Sequence, residues 1–207
     1  GLPSPPSQSD ALAEAYVRGL RSRGAEVEIL TLRDLEFDPN LRAGFSGSQE
    51  LEPDLARSQE LLSRAHHVAW FFPTWWAGPP ALVKAFIDRA FLPGFAFSYR
   101  KNSALPETLL GGRSSRVVTT MDSPAFWYQL WHRSSVHTSF VNATLRFVGI
   151  TPVVTTTIYK QKWLDDRERT TWMKRLEELG RKDAARFSSF DEKRLKPSKR
   201  EVARLSA

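Results

Sequence analysis

Residues Val68-Ala69-Trp70-Phe71-Phe72 form a nearly unbroken apolar run that Pro73 ends. A half-exposed strand alternates polar and apolar side chains; a run without alternation suits a strand buried on both faces, as in a parallel sheet covered by helices. Residues 27–32, 116–120 and 152–158 read as further short strands, the last rich in β-branched side chains. Helical patterns lie between them. Residues 9–23 place Ala11, Leu12, Ala15, Tyr16 and Leu20 on one face, with Ser7 or Ser9 as cap and Gly24 as terminator. Pro53–Arg64 carries Leu55, Leu61 and Leu62; residues 81–89 and 140–148 follow, the latter stopped by Gly149, and residues 165–187 carry Trp172, Leu176 and Leu179. Residues 91–99 alternate aromatic and small side chains in an extended or looped stretch. Strands alternating with helices imply an α/β three-layer sandwich. Such a chain begins with a strand, yet this one opens on a loop, so the expectation is a five-stranded parallel sheet whose first strand lies upstream of residue 1.

A chain of 207 residues fits about one domain, drawn here as residues 1–187 followed by a basic tail at 188–207. The net charge of +7 is spread along the chain, and its densest run, Lys193 to Arg200, sits among Pro and Ser. With no recognisable nucleic-acid module beside it, a solvated tail is the reading, and no nucleic-acid partner is expected. The absence of cysteine excludes disulfides, thiol nucleophiles and thiolate metal sites. No apolar run approaches the roughly 18 residues of a membrane span, and no signal peptide opens the chain, so a cytoplasmic location without an integral membrane segment is the expectation. His66, His67, His132 and His137 show no metal-ligand spacing, and no nucleophile elbow is present.

Three loops would meet beyond the carboxyl ends of the strands, where open α/β sheets bind ligands. The first, Gly1 to Ser9, offers hydroxyls and the free N–H groups of a helix start, which suit a phosphate; its alternative reading is an ordinary capped turn. The second is Pro73-Thr74-Trp75-Trp76-Ala77-Gly78-Pro79-Pro80. Two adjacent tryptophans on a surface loop need a cover, which a planar cofactor or a partner subunit would supply. The third, Thr119-Thr120-Met121-Asp122-Ser123-Pro124, continues into Phe126-Trp127-Tyr128 and reads equally as a polar site edge or a self-bonded turn. Of the histidines, His132 stands just after this loop.

The stretch from Phe71 to Lys84, with Ile87-Asp88-Arg89-Ala90-Phe91 and Gly94-Phe95-Ala96-Phe97, resembles the signature of flavodoxin-like NAD(P)H:quinone oxidoreductases. Asp34-Leu35-Glu36-Phe37-Asp38-Pro39 and Thr119-Thr120-Met121-Asp122 fit the same pattern, and the likeness runs from Gly1 to about Phe187. It implies a flavodoxin-like sheet and FMN, with FAD as the alternative. It also implies two-electron reduction of quinones by NAD(P)H in a ping-pong cycle, within a homodimer. By the same resemblance Ser7, Gln8 and Ser9 hold the flavin phosphate. Pro73, Thr74, Trp75, Trp76 and Ala77 border the ring, and Thr119, Thr120, Met121 and Asp122 its polar edge. Trp127, Tyr128 and His132 line the nicotinamide and acceptor pocket, with Tyr128 and His132 as catalytic candidates. Leu2 stands where many relatives carry His, and Met121-Asp122 where the animal enzymes carry paired glycines. An alternative of another class is an ancillary protein-binding subunit, for instance of a transport system, on the same fold.

Overall fold

A computed structural model of the chain describes residues 7–45, 47, 49–101 and 103–187. Residues 1–6 of the first loop and the tail from residue 188 onward lie outside the described residues. In chain order the elements are α1 (Gln8–Arg21), α2 (Pro53–Arg64), β1 (His67–Pro73), α3 (Ala81–Ala90), β2 (Phe97–Ser98), β3 (Glu107–Thr108), β4 (Ser114–Thr120), α4 (Ala125–Leu130), a π-helical segment (His137–Arg146), β5 (Val153–Ile158) and α5 (Asp166–Phe187). The helix expected at residues 140–148 thus starts earlier and winds more widely.

α1 begins where the side chains can satisfy its free donors. Asp10 N–H donates to the Ser7 hydroxyl at 3.2 Å, while the Asp10 carboxylate accepts from Ser7 N–H at 2.9 Å. Gly24, at φ +80°, ends the helix in a Schellman arrangement, its N–H donating to Arg21 O and that of Ala25 to Leu20 O.

The main sheet is parallel, in the order β1-β4-β5. Along β1 the side chains divide between two cores. Trp70 and Phe72 join α3, α4 and the π-helical segment on one face, while Ala69 and Phe71 pack with α1 and α5 on the other. β4, flanked on both edges and covered on both faces, is buried throughout. β2 and β3 form a separate antiparallel pair.

The sheet has three strands among the described residues, not five. Residues 27–32, expected as a strand, have no ladder partner there; the chain is extended at Thr31 (φ −95°, ψ 102°) and passes into a 3-10 turn at Leu32–Asp34. An extended segment becomes a strand only when a neighbour accepts and donates its backbone bonds. Without one, Ile29 stays 57% exposed.

Beneath the α1–α5 layer sits a buried polar cluster near the amino ends of β1 and β4. Arg116 pairs with Asp183 and also donates to the Thr156 hydroxyl at 2.9 Å. The Tyr16 hydroxyl donates to Asp183 at 2.7 Å and lies 2.9 Å from His67 Nε2; His67 Nδ1 lies 2.8 Å from the Ser114 hydroxyl. Burial pushes the Asp183 carboxyl up, but the bonds from Arg116 and Tyr16 outweigh it and hold the group below its ordinary range. Burial lowers the His67 imidazole to about 4. Above the cluster α1 and α5 touch at glycines: a Cβ on Gly180 would meet Tyr16 O at 2.2 Å.

Candidate functional site

The three strands of the main sheet end level, because Pro73 pairs with Thr120 and Thr120 with Ile158. Hydrogen bonding continues past them. Thr74 N–H donates to Thr120 O at 2.7 Å, Met121 N–H to Ile158 O at 2.9 Å, and Gln161 N–H to Met121 O at 3.0 Å. Lys162 N–H reaches the Asp122 carboxylate at 2.9 Å. The loops after β1, β4 and β5 are therefore laced side by side at the edge where open α/β sheets take ligands.

Within the loop after β1, Trp75 and Gly78 exchange two backbone bonds of 2.9 Å around Trp76 and Ala77. Both central residues are left-handed, at φ 49° and 57°. Gly, Asn and Asp take such a turn cheaply; Trp and Ala do so at a cost of about 1–2 kcal/mol each. The Ser135 hydroxyl braces the turn by donating to Ala77 O. Trp76 at this turn is fully in solvent with Trp75 nearly half exposed beside it, and backbone strain of this kind collects at functional sites. Pro73 and Ala77 are half-buried. Among the described residues the Thr74 hydroxyl is buried without a hydrogen-bond partner.

Thr119, Thr120 and Met121 are buried, with Thr119 near the Thr157 hydroxyl at 3.4 Å, whereas Asp122 is exposed. Asp122, Ser123, Pro124, Phe126, Trp127 and Trp163 line a shallow cleft of about 370 Å³. Trp127 stacks on Trp131 with ring centroids 5.3 Å apart, and the Lys162 ammonium stands 4.2 Å from the centre of the Trp163 ring.

At the start of α1 the capping box occupies the Ser7 hydroxyl and N–H. The N–H groups of Gln8 and Ser9, the first two of the helix, remain open among the described residues, and unsatisfied donors at a helix start favour an anion. The Gln8 side chain is tied by Arg169 to the loop after β5, since Arg169 also donates to Leu164 O at 3.0 Å and Gln161 O at 3.3 Å.

The structure thus gathers residues 73–77 with residues 119–122 and links the start of α1 to them through Arg169 and the loop after β5. Tyr128 and His132 are placed differently. Tyr128 is buried on α4, its hydroxyl accepting from Val136 N–H at 3.0 Å, and burial pushes its phenol up. His132 is half-buried, its ring centroid 6.5 Å from those of both Trp127 and Tyr128. Ser135, Gln161 and Arg169 were not anticipated: each reaches a partner distant in sequence, and no local pattern announces such contacts. Among the described residues no group of three or more His, Asp or Glu side chains could hold a metal, and no helix is long and apolar enough to cross a membrane.

A model of the flavodoxin-like fold family matches residues 1–181. The NAD(P)H dehydrogenase (quinone) 1 of Cavia porcellus is 29% identical over 109 residues, 43% of this chain and 40% of that protein, so the match spans well under half of that relative. The FMN-dependent NADH:quinone oxidoreductase of Ruegeria pomeroyi is 28% identical over 162 residues, 71% of this chain and 79% of that protein. Among solved structures, Smu.1420 from Streptococcus mutans UA159 superposes with a TM-score of 0.76 at 27% identity, covering 88% of this chain and 96% of the other.

Proposed function

This chain belongs to the flavodoxin-like fold family, and from that premise we propose that it is a flavin-dependent enzyme passing two electrons from NAD(P)H to quinones or similar acceptors. The observation that carries the reading is the laced loop edge, with an exposed tryptophan pair on a strained turn on one side and, among the described residues, an open helix start on the other. A planar ring with a phosphate tail matches that combination.

FMN fits the residues present, and the Ruegeria relative is named for it. The N–H groups of Gln8 and Ser9, open among the described residues, would take its phosphate, with Ser7 ordering the turn beneath them. The buried Thr74 hydroxyl, which lacks a partner, stands at the seam of the two ring-bordering loops. Pro73, Trp75, Trp76 and Ala77 would flank the ring, and residues 119–122 its polar edge. Bound there, the flavin supplies the hydride chemistry, which asks no side chain to act as nucleophile. The protein's part is position and polarity. The N–H groups of Trp75 and Gly78 are committed to the loop itself and that of Thr74 to Thr120 O, so among the described residues those of Trp76 and Ala77 are the ones free to face a ligand.

Trp76, Phe126, Leu130 and Trp131 are large apolar side chains left exposed, and a second copy of the chain is the cover we assign to them. NAD(P)H and the acceptor would then use one pocket in turn, with Trp127, Tyr128 and His132 on its wall.

Titrating the purified protein with FMN and FAD, following flavin fluorescence, tests the reading. Quenching with FMN at micromolar concentration is expected, together with NAD(P)H-dependent reduction of a soluble naphthoquinone, parallel double-reciprocal lines and a dimer by sedimentation. Failure to bind either flavin would refute it; intersecting lines or a monomer would remove only the ping-pong or dimer part.

A further inference from the structure

The turn after β1 and the connection between α4 and the π-helical segment each carry two consecutive left-handed residues, none of them glycine. Trp76 and Ala77 stand at φ 49° and 57°, Arg133 and Ser134 at φ 47° and 50°. Such residues are uncommon outside Gly, Asn and Asp, and they persist where the surroundings over-determine them. One hydrogen bond joins the two strained pairs: the hydroxyl of Ser135, directly after the second pair, donates to Ala77 O in the first. Among the described residues it is the only hydrogen bond that reaches a backbone group of Trp76 or Ala77. Tyr128 fixes Ser135 from both sides, its carbonyl accepting from Ser134 N–H at 3.2 Å and its buried hydroxyl from Val136 N–H at 3.0 Å. The Ser139 hydroxyl adds a bond of 2.8 Å to Ser135 O.

A turn closed by Gly78 N–H on Trp75 O can take either hand, because type I and type I′ turns share that bond and are mirror images. For Trp and Ala the right-handed form is the relaxed one. Strand twist ordinarily selects type I′, but Trp75 and Gly78 form an isolated bridge with no flanking ladder to impose it. The hand matters because it decides which side of the turn the N–H groups of Trp76 and Ala77 address. We infer that Ser135 is a positioning residue: it sets the hand of this turn, and through it the placement of the two backbone donors that meet the flavin ring. This inference rests on the flavin reading above.

The test measures FMN and riboflavin affinity by fluorescence quenching on full-length wild type, Ser135→Ala and Ser135→Thr, and on Ser135→Ala in the Ala77→Gly background. Loss of the hydroxyl should weaken both flavins alike, by roughly fivefold or more, because the turn addresses the ring they share. Ser135→Thr keeps the donor and should stay within about twofold of wild type. Glycine takes left-handed backbone without steric cost, so in the Ala77→Gly background the turn keeps its hand unaided and removing the hydroxyl should cost less than about twofold. Should Ser135→Ala fail to fold, Ser135→Cys, a weak donor of similar size, must show the same joint loss. Unchanged affinity for both flavins, or a loss as large with Gly at position 77 as with Ala, would overturn the proposal and reduce Ser135 to a structural tie. A wild type that binds neither flavin would instead bring down the flavin reading, and this proposal with it.

Discussion

Acidification should weaken this fold through His67 before its carboxylates are protonated. The imidazole bonds to Tyr16 on one side and Ser114 on the other, within a cluster that also holds the Arg116–Asp183 pair. Burial lowers its pKa from 6.5 to about 4, against the pull of Asp183 in the opposite direction. In the unfolded chain His67 takes up its proton near pH 6.5; in the folded protein it resists until about pH 4. Its contribution is therefore complete above about pH 6.5 and lost as the pH falls towards 4. One pH unit in that window is worth about 1.36 kcal/mol, so roughly 2 kcal/mol is gone by pH 5 and about 3 kcal/mol by pH 4. His67→Gln keeps a hydrogen-bonding side chain that does not titrate. Urea unfolding of both proteins at pH 7.5, 6 and 5 isolates the effect, because every other group is shared. Wild type should start more stable, and the gap should close by about 2 kcal/mol between pH 7.5 and 5. A constant gap, or an NMR titration placing His67 above pH 6, would refute the reasoning.

Other parts of the structure make equally direct demands. Gly180→Ala puts a Cβ against Tyr16 O where only 2.2 Å is available, so α1 and α5 must separate; a loss of about 2 kcal/mol or more in denaturant is expected, and an unchanged midpoint would show that the helices yield freely. Asp183→Asn leaves the buried Arg116 without its counter-charge and should destabilise by about 3–5 kcal/mol in the same assay; a loss below about 1 kcal/mol would deny the pair its role. Ala77→Gly relieves a left-handed residue at φ 57° and should raise stability by about 1 kcal/mol, measured as a higher Tm; a lower Tm would mean the turn is not strained.

Much of the architecture was legible in local pattern because its causes are local. The apolar run at 68–72 became β1, and Ser7, one of the two expected caps, and Gly24 bracket α1. The bounds of α2 agree residue for residue, with Pro53 opening it. Residues 27–32 carry the same kind of pattern and still form no strand, because pairing belongs to the neighbour and not to the segment. The candidate site divides along the same line. Its loops were legible as Pro- and Trp-rich or polar segments following strands, and their meeting at one edge followed from the order of a parallel sheet.

What the amino-acid sequence determined alone was the helices α1, α2, α3 and α5, the strands β1, β4 and β5, the ends of α1, and the two loops that follow β1 and β4. These depend on backbone preference and burial period, which neighbours a few residues apart already express. Tertiary structure alone decided which polar groups would be shared and which left over. Gln8 meets Arg169 across 161 positions, Tyr16 meets Asp183 across 167, and the Ser135 hydroxyl meets Ala77 O across 58. Such contacts exist only once helices cross and strands align, since hydrogen bonds and charges act over a few ångströms of space and are blind to distance along the chain.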